Sequence, residues 1–345
     1  MKTTFKLTML LLIVIIIGAG KTSIAIEKTK KYREAWPAAG IETVQISNKF
    51  GEVKFVNNGG SEITIDVLVK VDGSNERKVS ELIDKISVSF GKTGSTAKAE
   101  TSIENNYNFN GNFSIDYLVN VPSEKNLTVE NKYGNVVVNR LTGNGNFDVQ
   151  YGSFTAVALK GNTTKVMLAY GKAKIDESGD IGMEVKYSNM TLGEIGNMKL
   201  DIKYSTVDID KAKDILTESR YDKLNIGELV SLNADTKYSQ VKIGKLIKSL
   251  QIGTGYGGIK VESIDPGFES IIINNSYGNI YLGLNSSSYT IDASCNYCGI
   301  SYPQERFKGN RMKEDTSIQI NGKIGNAGGG KVKIESRYGE IKLGE

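Results

Sequence analysis

An aromatic residue followed by a small one recurs twelve times along this chain, and no other feature constrains the fold as much. The corners are Phe50-Gly51, Tyr133-Gly134, Tyr151-Gly152, Tyr170-Gly171, Tyr187-Ser188, Tyr204-Ser205, Tyr221-Asp222, Tyr238-Ser239, Tyr256-Gly257, Tyr277-Gly278, Tyr297-Cys298 and Tyr338-Gly339. From Tyr133 to Tyr297 successive aromatics are 18, 19, 17, 17, 17, 17, 18, 21 and 20 residues apart. A nearly fixed period of this size specifies a repeat architecture, in which each unit packs only against its neighbours.

Around each corner the apolar residues alternate. Counting back from the aromatic they fall at −6 and −4, as in Leu127 and Val129 or Ile271 and Ile273; counting forward they fall at +3 and +5, as in Val207 and Ile209. Alternation with period two is the mark of a strand. Its parity changes across the corner, and a one-residue slip would turn every side chain to the other face of a continuous strand. Each unit is therefore two short strands joined by a bend. The bend is expected at the small residue, where glycine relaxes the backbone, with the aromatic as the last inward residue of the first strand. On this reading Tyr133, Tyr151, Tyr170, Tyr187, Tyr204, Tyr221, Tyr238, Tyr256, Tyr277 and Tyr297 form an internal structural ladder.

A unit of about 17 residues cannot bury enough apolar surface alone, so equivalent strands must stack. The expected fold is all-β: a parallel β-solenoid of 17–20-residue coils, right-handed by the preference of parallel crossovers. Its outer face carries two columns. Position −1 holds Lys186, Lys203, Arg220 and Lys237, and position −3 holds Glu184, Asp201, Glu218 and Asp235. Opposite columns side by side predict an exposed, self-neutralised charge ladder; a basic stripe for anions is the alternative.

Residues 1–25 read as a secretory signal peptide. Lys2 and Lys6 precede an apolar run from Leu7 to Ile17, and cleavage fits after Ala25 or after Gly20. The run is short for a spanning helix, so no stable membrane span is expected after cleavage, and no cysteine near it offers a lipid attachment site. Lys2, Lys6 and Lys21 supply three of the chain's four net positive charges. The mature protein is thus near neutral, and nucleic acid is not an expected partner. Residues 26–132 hold the first coil and an irregular α+β cap: strand alternation over 63–71, a helix over 75–86 at Val79, Leu82, Ile83 and Ile86, and a strand over 115–121. Residues 133–345 hold the repeats, with a polar loop expected over 304–316. No sorting tail or anchor domain is expected after them.

The chain has no histidine, which removes serine–histidine and cysteine–histidine catalysis and most zinc sites. Gly18-Ala19-Gly20-Lys21-Thr22-Ser23 lacks the leading glycine of a phosphate-binding loop, since position 15 is Ile15. The glycine cluster at 253–258 is a repeat corner. Asp208 and Asp210 are where a polysaccharide-cleaving β-helix would carry its acids, but acids do not recur on those columns in neighbouring coils. Cys295 and Cys298 flank the corner at Tyr297. In an exported protein they are either a disulfide, brought into range by the bend, or two small residues filling an ordinary coil.

The segment Glu34-Ala35-Trp36-Pro37, leading into Asn48-Lys49-Phe50-Gly51-Glu52-Val53, resembles the opening of a bacterial putative adhesin family. Asn131-Lys132-Tyr133-Gly134-Asn135-Val136 and the later corners share the likeness. The family is exported, of unknown function, and related to the head GIN domain putative auto-transporter adhesins. The resemblance covers about residues 30–345 and implies an exported β-solenoid, with no family catalytic or binding residue to carry across. The combined expectation is a non-enzymatic envelope or surface protein, in the periplasm or on the outer surface. Its partner would be polysaccharide or another envelope protein. No catalytic, cofactor or metal residues are assigned. A polysaccharide-active β-helix enzyme is the alternative.

Overall fold

The computed structural model describes residues 26–344 except 106–107, 285–286 and 327. The segment 1–25 expected as a signal peptide, with the glycine–lysine stretch at 18–23, lies outside the described residues. The fold is a β-solenoid of stacked parallel strands. Its contacts divide the chain into two units, between Asn162 and Thr163.

In the first unit, Thr43–Lys49, Asn126–Lys132 and Gly145–Gln150 stack in parallel register, with Ile46 beside Val129 and Val129 beside Phe147. After the corner, Val53–Asn57, Val136–Leu141 and Ser153–Leu159 make a second parallel column. The inward residues of both columns are buried: Val44, Ile46, Val53, Phe55, Leu127, Val129, Val136 and Val138.

The first coil has two strand edges to cover. Thr96–Ile103 pairs parallel to Thr43–Lys49, and Gly111–Val121 pairs parallel to Val53–Asn57. Glu62–Gly73 then runs antiparallel to Gly111–Val121, and Ile26–Pro37 antiparallel to Glu62–Gly73. Ile86–Thr93 completes a hairpin with Thr96–Ile103. The helix is Glu76–Lys85. Its first turn is capped by Asn75, whose side chain accepts the Lys78 N–H, and Val79, Leu82 and Ile83 are its buried face. A buried polar thread ties the cap to the first coil. The Thr101 hydroxyl lies 2.8 Å from Asn48 Oδ1 and 2.7 Å from the Tyr117 hydroxyl, and the Asn48 amide donates to the Ile115 carbonyl. Burial raises the Tyr117 phenol far above its ordinary pKa.

In the second unit the same two columns repeat. Thr164–Ala169, Ile181–Lys186 and Met198–Lys203 stack in register, followed by the second halves of Thr206–Arg220, Lys223–Lys237 and Gln240–Gly255. At the far end spatial order leaves chain order. Gly330–Arg337 lies between Ser270–Ser276 and Tyr289–Asn296, parallel to both. Ile341–Leu343 likewise lies between Ile280–Leu282 and Ile300–Ser301. The segment expected as a loop over 304–316 instead contains the strand Phe307–Glu314. It pairs antiparallel with Ser317–Ile324, which pairs antiparallel with Tyr289–Asn296. Its sequence is polar because both of its faces are almost wholly exposed. Backbone pairing holds it, so it carries no apolar alternation to read.

Candidate binding groove along the tyrosine column

Three positions build each corner. Position −2 points inward and is polar where it braces the turn. The Asn131 amide donates to the carbonyls of Gly51 and Asn135, and the Asn275 amide to the Gly278 carbonyl and the Ser336 hydroxyl. The aromatic comes next, and every one of the twelve has a positive φ, between 51° and 66°. Such a left-handed residue is uncommon outside glycine, and here it is the bend.

The expected inward placement of the tyrosines is therefore overturned. Tyr133, Tyr151, Tyr170, Tyr187, Tyr204, Tyr221, Tyr238, Tyr256, Tyr277 and Tyr297 are 45–58 % exposed. The strand's alternation ends at −2, one step earlier than its parity suggested, because the left-handed backbone at the aromatic swings that side chain outward. The small residue has a different duty from the one assigned to it. A Cβ on Gly134 would collide with the Gly51 carbonyl of the coil beneath. Smallness there serves the close approach of successive coils.

Ser and Asp occupy the small position in the middle coils, and their side chains link the corners. Gly171 N–H donates to Ser188 Oγ at 3.1 Å, Ser188 N–H to Ser205 Oγ at 3.3 Å, Ser205 N–H to Asp222 Oδ1 at 2.7 Å, and Asp222 N–H to Ser239 Oγ at 3.2 Å. Each corner amide is thus satisfied by the next coil. Asp222 also accepts the Arg220 N–H at 2.6 Å and the Ser219 hydroxyl at 2.8 Å on Oδ2. It is only 4 % exposed. Desolvation by burial raises its pKa, against the lowering pull of these hydrogen bonds.

Within each unit the outward rings form a stack. In the first, Phe50, Tyr133 and Tyr151 lie 5.0 Å apart, with Lys132 Nζ 5.3 Å from the Tyr133 ring and 5.8 Å from the Tyr151 ring. In the second, the order is Tyr170, Tyr187, Tyr204, Tyr221, Tyr238, Tyr256, Tyr277, Tyr338, Tyr297. Ring centroids there are 4.6–5.0 Å apart and planes within 13°. Stacking covers the ring faces and leaves the edges to solvent. Beside the rings runs an open groove of about 700 Å³, walled on one side by Tyr187, Tyr204, Tyr221 and Tyr238, floored by Ser188, Ser205 and Asp222, and walled opposite by Asn189, Thr206, Lys223 and Gln240. Its linear shape and repeating edges suit an extended molecule rather than a compact one.

The two charge columns lie on the outer face in register, Lys186 beside Lys203, Arg220 and Lys237, and Glu184 beside Asp201, Glu218 and Asp235. Glu184 takes Lys165 as its partner, at 2.9 Å, and that hydrogen bond first, then the nearby lysines, lowers its pKa. Cys295 and Cys298 are disulfide-bonded, with Cα atoms 5.5 Å apart. Cys295 takes the buried −2 position. Asp208 and Asp210 are exposed and on the same strand, and Asp208 accepts from the Asn225 amide at 2.8 Å. Among the described residues no three His, Cys, Asp or Glu side chains are grouped to hold a metal ion.

No protein-family description and no curated protein sequence matches the chain. Solved structures do. A putative cell adhesion protein from Clostridium sporogenes is 13 % identical, with 92 % of this chain and 99 % of that one covered and a TM-score of 0.20. A putative adhesin from Bacteroides fragilis is 11 % identical over 73 % of this chain and 97 % of its own, with a TM-score of 0.36. A putative lipid binding protein from Parabacteroides distasonis is 12 % identical over 73 % and 96 %, with a TM-score of 0.30. The adhesin descriptions among these neighbours are of the kind that the corner motif resembles.

Proposed function

We propose that this chain is an exported, non-enzymatic binding scaffold of the cell envelope or surface. Its solenoid holds an extended partner, such as a polysaccharide or another envelope protein, along the tyrosine-walled groove. One observation carries the reading: the aromatic column, which the inward-facing alternation would have buried, is instead held outward by a left-handed backbone at every coil. A residue strained into solvent eleven times over is better accounted for by a surface role than by core packing, since burial would have been served by an ordinary strand residue. The groove's polar floor is already hydrogen-bonded within the protein, which leaves the ring edges and the polar wall of Asn189, Thr206, Lys223 and Gln240 as its means of recognition.

Glycan arrays and envelope-protein pull-downs with the mature chain test this, compared with a Tyr204→Ser/Tyr221→Ser double variant that keeps the fold by circular dichroism. Binding by the parent and loss in the double variant is the expected result. A reducing-sugar release assay runs in parallel. Release of sugar ends from any polysaccharide would overturn the non-enzymatic reading, and protease shaving of intact cells separates surface from periplasm.

A further inference from the structure

We propose that the outer face of the C-terminal cap is a second binding surface, for an extended chain bearing phosphate groups. It is separate from the tyrosine groove and does not depend on its role. Four strands lie side by side there in the order Gly330–Arg337, Tyr289–Asn296, Ser317–Ile324, Phe307–Glu314. One cross-strand row reads Lys331, Thr290, Lys323, Lys308. All four are exposed, and they line an open groove of about 500 Å³ together with Lys333, Asp292 and Asn321.

Several lysines elsewhere on the second unit face acids: Lys165 and Glu184, Lys242 and Glu262, Lys245 and Glu228, Lys248 and Glu269 are all within 4.0 Å. Lys333 follows that pattern through Glu335, at 3.2 Å. Lys308, Lys323 and Lys331 do not, having no ion pair among the described residues. Lys323 and Lys308, on neighbouring strands about 5 Å apart, repel by roughly 1 kcal/mol even in water, and the one acid lining the groove is Asp292. Guarding a sheet edge against strand addition accounts for a charge on the outermost strand, and so for Lys308. It does not account for Lys331, three strands further in.

Three ammonium groups and the Asn321 amide are a donor set for oxyanions, while the Thr290 hydroxyl between them donates to the Gly330 carbonyl. Lys331 and Lys308 are three strand spacings apart, about 14 Å. That exceeds the reach of a single phosphate and fits several phosphates borne along one polymer lying across the strands.

Inorganic polyphosphate is the probe, measured by isothermal titration calorimetry on the mature chain at several salt concentrations. The expected result is binding that weakens steeply with salt and falls at least about tenfold in Lys308→Gln/Lys323→Gln/Lys331→Gln. A Lys242→Gln/Lys260→Gln control, which removes two lysines already neutralised by Glu262, should bind like the parent. Absence of binding, or equal loss in the control, would overturn the proposal. So would adsorption to phosphatidylglycerol vesicles without affinity for polyphosphate, which would make the surface a membrane contact. If the triple variant does not fold, Lys331→Gln alone must show a weaker affinity and a shallower salt dependence.

Discussion

Tyr277 stacks on Tyr338, with ring centroids 4.8 Å apart, while Tyr297, the next corner in the chain, lies on the far side of Tyr338. The last coil is thus threaded between two earlier ones. Its strand Gly330–Arg337 satisfies the hydrogen-bonding edges of Ser270–Ser276 and of Tyr289–Asn296 at once, which makes the end of the sequence an interior part of the stack.

Removing residues 330–344 should therefore do far more than trim an end. The buried side chains of Val332, Ile334, Ile341 and Leu343 would be lost, at about 1.5–3 kcal/mol each, and two strand edges would be left facing each other unpaired. The coils at Tyr277 and Tyr297 should become protease-sensitive, while the coils around Tyr187 to Tyr238 stay protected. Limited proteolysis with mass spectrometry reads this directly. A truncated chain as resistant over 270–324 as the full one would show that the intercalated coil is dispensable.

The tyrosine column gives a prediction that differs in sign from an internal ladder. A half-exposed ring stacked on two neighbours forfeits about 0.5–1.5 kcal/mol per lost pair, so Tyr221→Ala should cost about 1–3 kcal/mol. Tyr221→Gly should cost less than Tyr221→Ala, because glycine adopts the φ of 66° at this corner without the penalty of a Cβ. In an ordinary strand or core position glycine would be the worse of the two. Urea unfolding of the pair decides it, and Ala outranking Gly would contradict the left-handed corner.

Much of this was legible in the residues, and the reasons for the rest are physical. Alternation at −6, −4, +3 and +5 located the buried columns, and Val79, Leu82 and Ile83 located the helix. The direction of the tyrosines was not given by alternation, because parity extrapolates a strand whereas the corner breaks it. A signal was present: eleven of the twelve corner aromatics are tyrosine and one is phenylalanine, a preference for a hydroxyl that a sealed core does not require. Polar Asn131, Ser219, Asn275 and Ser336 at −2 also marked where the inward side ends. The intercalated last coil could not be read, since spacing along the chain reports which units exist and not the order in which they stack. Phe307–Glu314 was unreadable for the opposite reason: a strand exposed on both faces leaves no pattern.

The Cys295–Cys298 bond closes a very short loop, so the chain-entropy contribution is small, about 2 kcal/mol at most. It secures the coil at Tyr297, the last ring of its stack. Reduction should lower the melting temperature by a few degrees and leave partner binding in the groove at Tyr187 to Tyr238 unchanged. Differential scanning calorimetry with and without reductant checks the first half, and loss of binding on reduction would show that the end of the stack takes part in recognition.

Asp222 should make stability depend on pH in the direction opposite to that of a salt-bridged acid. Its folded pKa is raised above the ordinary 3.8, chiefly by burial, so the folded state holds the proton more tightly than the unfolded one. Well below the ordinary value both states are protonated and the residue contributes nothing to the pH dependence. As pH rises through that value towards the raised one, the unfolded state loses its proton first and the protein loses stability; above the raised value the penalty is complete. Asp222→Ser repeats the residue used at Ser188, Ser205 and Ser239, and can still accept the Ser205 N–H while removing the charge. Its losses are the bonds from the Arg220 N–H and the Ser219 hydroxyl to Oδ2, whose pull towards the ionised form is already contained in the net raised pKa. The difference in unfolding free energy between parent and variant should therefore shift in favour of Asp222→Ser as pH rises from 3 towards neutrality, by about 1.4 kcal/mol for each unit of raised pKa. Chemical denaturation of both proteins across that range measures it. A difference that moves the other way would mean that the three hydrogen bonds to the carboxylate outweigh its burial.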